Sequence, residues 1–222
     1  MKTSRIYCDA IEPGWLSRCR VIPRVDFATS DPHFCHKNIL KYEKRPFANL
    51  DEMHEALIEN WNSVVRPHHR VLVDGDMGFW GVATGQKFVS RLNGYKILQI
   101  GNHDEKPTRS RKIGFAEVYT GPSVLETANG CVLTCHFPYR PSWWHTFKER
   151  YIRGYRRKYT EYFPPLTDMW LIHGHVHTRY KEAVNYHRKM INVGVDVPRW
   201  NWKPVPMAEL ESIISGADTA LK

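Results

Sequence analysis

The chain reads as an α/β fold of two mixed sheets with outer helices, and three observations predict it. Strand-like and helix-like segments alternate through the first half. The second half runs as strand-like segments, with a hairpin signal, Ala128-Asn129-Gly130, between two of them. Short islands of Asp, Asn and His directly follow strand-like runs, which is where α/β folds place their chemistry.

Residues 1–24 show no convincing periodicity and read as an N-terminal extension to a single domain over 25–222. Residues 25–28 form a short strand. Residues 51–65 set Met53, Ala56, Leu57, Trp61, Val64 and Val65 at helical spacing, with Asn49 or Asp51 as cap and Pro67 as stop. Residues 70–73 are a strand, 84–93 a helix ended by Gly94, and 95–100 the next strand. The runs 123–127 and 131–135 pair as the hairpin, on the expectation that Asn129 and Gly130 sit at its centre with positive φ. Residues 169–172 and 190–193 are late strands, and 207–214 is a closing helix.

With 222 residues and 42% hydrophobic content, one core and one domain are the default. No run of about 18 apolar residues exists, so a membrane span is excluded as an expectation. The first 24 residues lack an apolar signal-peptide core. Cys8, Cys19, Cys35, Cys131 and Cys135 are odd in number and form no C-x-x-C. The expectation is reduced thiols in a cytoplasmic protein. The net charge of +9 favours polyanionic partners.

Five islands carry candidate chemistry: Asp31-Pro32-His33, Gly75-Asp76, Gly101-Asn102-His103-Asp104, His136, and Gly174-His175-Val176-His177. Asp31, His33, Asp76, Asn102, His136, His175 and His177 are seven potential ligands. That number suits two divalent ions if one carboxylate bridges them. The mixed nitrogen and oxygen set suits Mn²⁺, the first expectation, or Fe²⁺, Ni²⁺ or Zn²⁺; Mg²⁺ and Ca²⁺ prefer oxygen alone. An open dinuclear site is a hydrolytic device.

The order D-x-H, G-D, G-N-H-D, H, G-H-x-H resembles the calcineurin-like metallophosphoesterases, over residues 25–214. His33-Phe34-Cys35-His36-Lys37-Asn38, with Arg45-Pro46-Phe47 and Asn192-Val193-Gly194-Val195-Asp196, is similar to a subgroup of small bacterial and phage phosphoesterases. That subgroup carries H-F-G-H-x-N-I followed by R-P-F. Here Cys35 replaces the glycine and Pro32 stands where Thr is common, which crowds the loop.

The resemblance implies a four-layer αββα sandwich. It assigns Asp31, His33 and His177 to one ion, Asn102, His136 and His175 to the other, and Asp76 to the bridge. The implied reaction is in-line attack on a phosphomono- or phosphodiester by a metal-bridging hydroxide. His103 is then the candidate general acid or transition-state stabiliser, with Asp104 as its orienting partner; a histidine that only supports the metals is the plain alternative. His36 and Arg45 are candidate substrate contacts; Arg45 could fork onto a phosphate or form a salt bridge, and both readings stand. His173 reads as structural, and Asn192 and Asp196 as turn formers.

A basic-aromatic insert over about residues 139–163 includes Tyr139, Trp143, Trp144, Arg153, Arg156 and Arg157. Interleaved rings and cations can stack bases and track phosphates, so a nucleotide or nucleic-acid substrate is favoured over a sugar phosphate; a solvated basic helix is the plain alternative. Two rivals remain. A protein phosphatase is disfavoured because Gly75-Asp76-Met77-Gly78 lacks the G-D-x-V-D-R-G extension. A nucleic-acid-binding protein with a vestigial metal site is disfavoured by the complete ligand set.

Overall fold

In the computed structural model, residues 14–140, 163–179 and 182–216 are described. Their eleven strands form two mixed sheets flanked by helices. The five-stranded sheet has the order β11-β2-β3-β4-β5, from Val205–Pro206, Phe27–Thr29, Arg70–Val73, Tyr95–Gln99 and Glu117–Tyr119. β2 to β5 are parallel, and β11 runs against β2. The six-stranded sheet has the order β1-β6-β7-β8-β10-β9, from Arg20–Ile22, Ser123–Thr127, Gly130–Thr134, Leu171–His173, Met190–Asn192 and Val184–Asn185.

Alternation along each strand decides which layer a side chain enters. Leu72 and Ile97 of one sheet meet Leu125, Val132, Ile172 and Ile191 of the other in the core between the sheets. Their chain neighbours turn away. Val71, Val73 and Leu98 pack with Met53, Leu57 and Trp61 of α2 (Leu50–Val64) and with Val89 and Ile113, from α3 (Val82–Val89) and α4 (Pro107–Ile113). Val124, Leu133 and Leu171 pack outward with Trp15, Leu16 and Phe163. Met207, Leu210 and Ile213 of α5 (Met207–Ile214) join the inter-sheet core.

α2 starts where its cap predicts: the Asn49 side chain accepts the Glu52 N–H at 2.9 Å. Other expectations shift. Arg20–Ile22 of the supposed extension forms β1, parallel to β6, and Ile22 is buried between the sheets. Three residues are too few for a period of two to register in sequence. α3 ends at Val89, four residues before Asn93, because Gly94 at φ +91° serves the turn into β4 and not the helix end. The hairpin pairs Thr127 with Gly130, so Ala128 and Asn129 are its central residues and only Gly130 has positive φ.

Tyr139, at the start of the insert, packs into the outer core and is not an exposed ring. It is buried, and its hydroxyl bonds to Thr167 Oγ1 at 2.7 Å and to the Met169 carbonyl at 2.8 Å. Residues 141–162, with Trp143, Trp144, Arg153, Arg156 and Arg157 of the insert, lie outside the described residues, as do residues 1–13, 180–181 and 217–222. Cys131 is disulfide-bonded, against the expectation of reduced thiols, while Cys19, Cys35 and Cys135 are free. Among the described residues no helix is long and apolar enough to cross a membrane.

Candidate metal centre

Five strand ends deliver the islands to one place. β2 leads to Asp31 and His33, β3 to Asp76, β4 to Asn102, β7 to His136, and β8 to His175 and His177. Asp31, His33 and His177 form one group whose ligand atoms lie within 4.8 Å of one another, and Asp76, His136 and His175 form another. Asn102 stands with the second group, its Oδ1 3.1 Å from His136 Nε2.

Asp76 lies between the groups. Its Oδ2 is 3.3 Å from His136 Nε2 and 3.7 Å from His33 Nε2. Asp31 Oδ1 and both ring nitrogens of His33 are buried with no hydrogen-bond partner. Orphaned ligand atoms that converge are what a cation site needs, so the residues fit two metal ions. The backbone agrees. Asp31, His33, Asp76, His175 and His177 all have φ between +46° and +69°, a region that costs non-glycine residues energy and that collects at functional sites.

Two motif glycines are there for space. A side chain at Gly101 would collide with Asp76, and one at Gly174 would collide with Ser30 and the Asp31 carboxylate.

Outer partners fix the rings. His136 Nδ1 donates to the Asp74 carbonyl at 2.8 Å, which leaves Nε2 facing Asp76. His177 Nδ1 donates to Asp196 Oδ2 at 2.7 Å, which leaves Nε2 on the side of Asp31. His173 instead bonds the Gly174 carbonyl at 2.8 Å.

Arg45 is not a substrate contact. Its side chain is 0% exposed. Nε and Nη2 bond both oxygens of Asp196 at 2.8 Å, Nη2 and Nη1 reach the carbonyls of Asp31 and Pro32 at 2.8 Å, and Nη1 also meets Met53 Sδ. All five donors are used, so none is left for a phosphate. The salt-bridge reading of Arg45 therefore holds, with Asp196 as the partner.

Asp196 and Asn192 do more than form a turn. Asp196 orients His177, and Asn192 Nδ2 bonds the His177 carbonyl at 2.9 Å. Asp196→Asn should weaken the first metal by about 10- to 100-fold, the usual scale for an outer-shell partner, and leave the second less affected. Metal titration of the variant checks this, and equal loss at both sites would remove the assigned role.

Asp104 does not orient His103. Its carboxylate accepts the backbone N–H groups of Asp76, Met77 and Gly101 at 2.7, 2.9 and 2.8 Å. It ties the second and third islands together. His103 donates its own N–H to Asp76 Oδ1 at 2.8 Å, and its ring stands 5.5 Å from His33. His36 is at the site, its ring 5.5 Å from His33 and 6.1 Å from His103.

Burial opposes charge throughout, and the clustered groups answer it. Against burial, His177, His33 and His136 hold Asp31 well below the usual carboxylate range. His136 and His33 likewise hold Asp76 at about 2. The same carboxylates raise His136 to about 10 despite its burial. Burial and the neighbouring His136 cation push His175 down to about 3, so it stays neutral, as a metal ligand must. Burial raises Asp74 to about 8, and burial with the Asp76 charge raises Asp104 to about 6.

Two of these shifts give the metal-free protein a pH-dependent stability. His136 binds its proton more tightly folded than unfolded, so its contribution is full below about 6.5 and is lost as pH rises through about 10. Asp74, with its raised value, also favours the protonated folded state, and that advantage is lost between about 3.9 and about 8. Both act in the same direction between pH 6.5 and 8. Denaturant melts of chelated protein should therefore show lower stability at pH 8 than at pH 6.5; the reverse order would contradict this electrostatic account.

No family model matches the chain. The uncharacterized protein MJ1445 of Methanocaldococcus jannaschii is 32% identical over 193 residues, 85% of this chain and 90% of that protein. The Gene 66 protein of a mycobacteriophage is 28% identical over 210 residues, 87% of this chain and 97% of that protein. A crystal structure of AQ665, a protein of unknown function from Aquifex aeolicus, shares the fold with a TM-score of 0.61 at 24% identity. It covers 88% of this chain and all of that one. At 32% identity over 85% of its length, the chain belongs to the same family as the archaeal protein MJ1445.

Proposed function

We propose that the chain is a dinuclear-metal-dependent phosphoesterase of the calcineurin-like kind, acting on phosphomono- or phosphodiesters. The observation that supports it is Asp76, whose carboxylate lies between two groups that could each hold an ion. Divalent ions held there would supply Lewis-acid chemistry, lowering the pKa of water from about 15.7 towards about 7 and neutralising phosphoryl charge.

The protein's residues do the rest. The carboxylates of Asp31 and Asp76 would offset two of the four charges of two bound dications, and the remaining positive charge would draw an anionic ester. Asn102, being neutral, preserves that excess. Asp104 and Arg45 hold the loops, so the ligands need little reorganisation. His103, whose backbone N–H bonds Asp76 and whose ring belongs to neither ligand group, would donate a proton or hydrogen bond to the leaving oxygen. The net charge of +9 favours a nucleotide or nucleic-acid ester.

The test is purification without chelator, elemental analysis, and turnover of a nitrophenyl phosphoester with Mn²⁺. About two ions per chain and chelator-sensitive turnover are expected. Two bound ions with no turnover of any phosphoester would sink the enzyme reading and favour a vestigial site.

A further inference from the structure

Beside the metal centre stands a group of rings that the reaction does not account for. Phe79 is 48% exposed and Tyr42 is 64% exposed, though both are large and hydrophobic. Their rings lie 4.9 and 6.0 Å from the ring of the same residue, His36. Phe79 is also 5.1 Å from His103, which is 5.5 Å from His33. The rings thus step outward from the first ligand group, past the proton donor, to an uncovered aromatic face.

Single exposed rings are ordinary on protein surfaces. Three features set this pair apart. They converge on one histidine at the mouth of the site. Phe79 has a fixed backbone, since its N–H donates to the Phe34 carbonyl at 2.7 Å and Phe34 bridges to Gly78. Its neighbour Trp80 turns inward to stack on Phe34 and Phe88. The larger ring packs inside and the smaller one is held outside, on an anchored loop. A ring held this way loses little entropy when a ligand stacks on it.

We propose that Phe79, with His36 and Tyr42 beside it, is a stacking shelf for a planar heterocycle in the substrate's leaving group. The ester is then one of a nucleoside, with its phosphate on the metal centre and its base on the shelf. Among phosphoesters, a flat ring one sugar away from the phosphate is the nucleotide arrangement, and stacking on an aromatic side chain is tolerant of base identity. This rests on the phosphoesterase reading above.

The test compares two ligands that share phosphate and sugar and differ in the base. Adenosine 5′-monophosphate and ribose 5-phosphate are titrated calorimetrically into the full Mn²⁺-loaded chain. The nucleotide should bind about tenfold more tightly, the scale of one stacked base. In Phe79→Ala that ratio should fall towards one, while Phe79→Trp should keep it. Metal content measured on each variant shows that the centre has survived. If the parent binds both ligands equally, or if the ratio persists in Phe79→Ala, the shelf is refuted and the phosphoesterase reading stands. If the metal-loaded parent binds neither ligand and hydrolyses no phosphoester, the phosphoesterase reading falls and the shelf falls with it.

Discussion

Asp76→Asn is expected to empty both metal sites together, although it changes no volume and removes only one charge. One oxygen of Asp76 faces His136 and His33, one from each ligand group, while the other accepts the His103 N–H. The carboxamide would keep an oxygen for one of these duties and present an NH₂ to the other. It would also remove the charge that holds His136 protonated in the metal-free protein and that would answer two dications in the loaded one. The loss should exceed the roughly 10- to 100-fold in metal affinity that an outer-shell partner costs.

The fold should survive, because the Asp76 backbone N–H still bonds Asp104 and the residue keeps its size. Circular dichroism can confirm that. Elemental analysis should then show both ions depleted, with turnover lost in proportion. A variant that still carries about two ions per chain and turns over normally would remove Asp76 from the bridging role.

The candidate ligands were legible because metal chemistry restricts residue types and strand ends restrict where they occur. Asp31, His33, Asp76, Asn102, His136, His175 and His177 could all be named from short islands after apolar runs. What the islands lack is contact information across the chain. Arg45 and Asp196 are 151 positions apart, and nothing local shows that the arginine commits its donors to that carboxylate, to the carbonyls of Asp31 and Pro32 and to Met53. Asp104 misled for a related reason. Adjacency to His103 suggested a pair, whereas its carboxylate points back to three backbone donors of the bridging loop.

In the fold, long elements such as α2 announced themselves by period and cap. β1, β9 and β11 have two or three residues each, and they exist only because a longer neighbour offers an edge. Asp196 was visible as part of Asn-Val-Gly-Val-Asp, but a turn former and a histidine partner look alike in sequence. The signal that could separate them is its pairing with a buried cation, which only the folded chain provides.

His103→Ala is expected to keep both metals and lose about 10²- to 10⁴-fold in kcat, the scale for removing a general acid or its equivalent hydrogen bond. The ring lies in neither ligand group, and the bond that ties this residue to Asp76 is made by its backbone N–H, which alanine retains. In the metal-free protein burial lowers the pKa of the ring, and outweighs the opposing pull of the Asp76 and Asp31 carboxylates.

If His103 gives its proton to the leaving oxygen, a nitrophenyl ester needs that proton least. The loss should then be smaller for nitrophenyl esters than for alkyl esters. Asp104→Asn supplies the contrast: it disturbs the backbone clamp on Asp76, so it should release metal and reduce every substrate alike. Equal losses across leaving groups in His103→Ala, with metal retained, would make His103 a positioning residue for the phosphoryl group and not a proton donor.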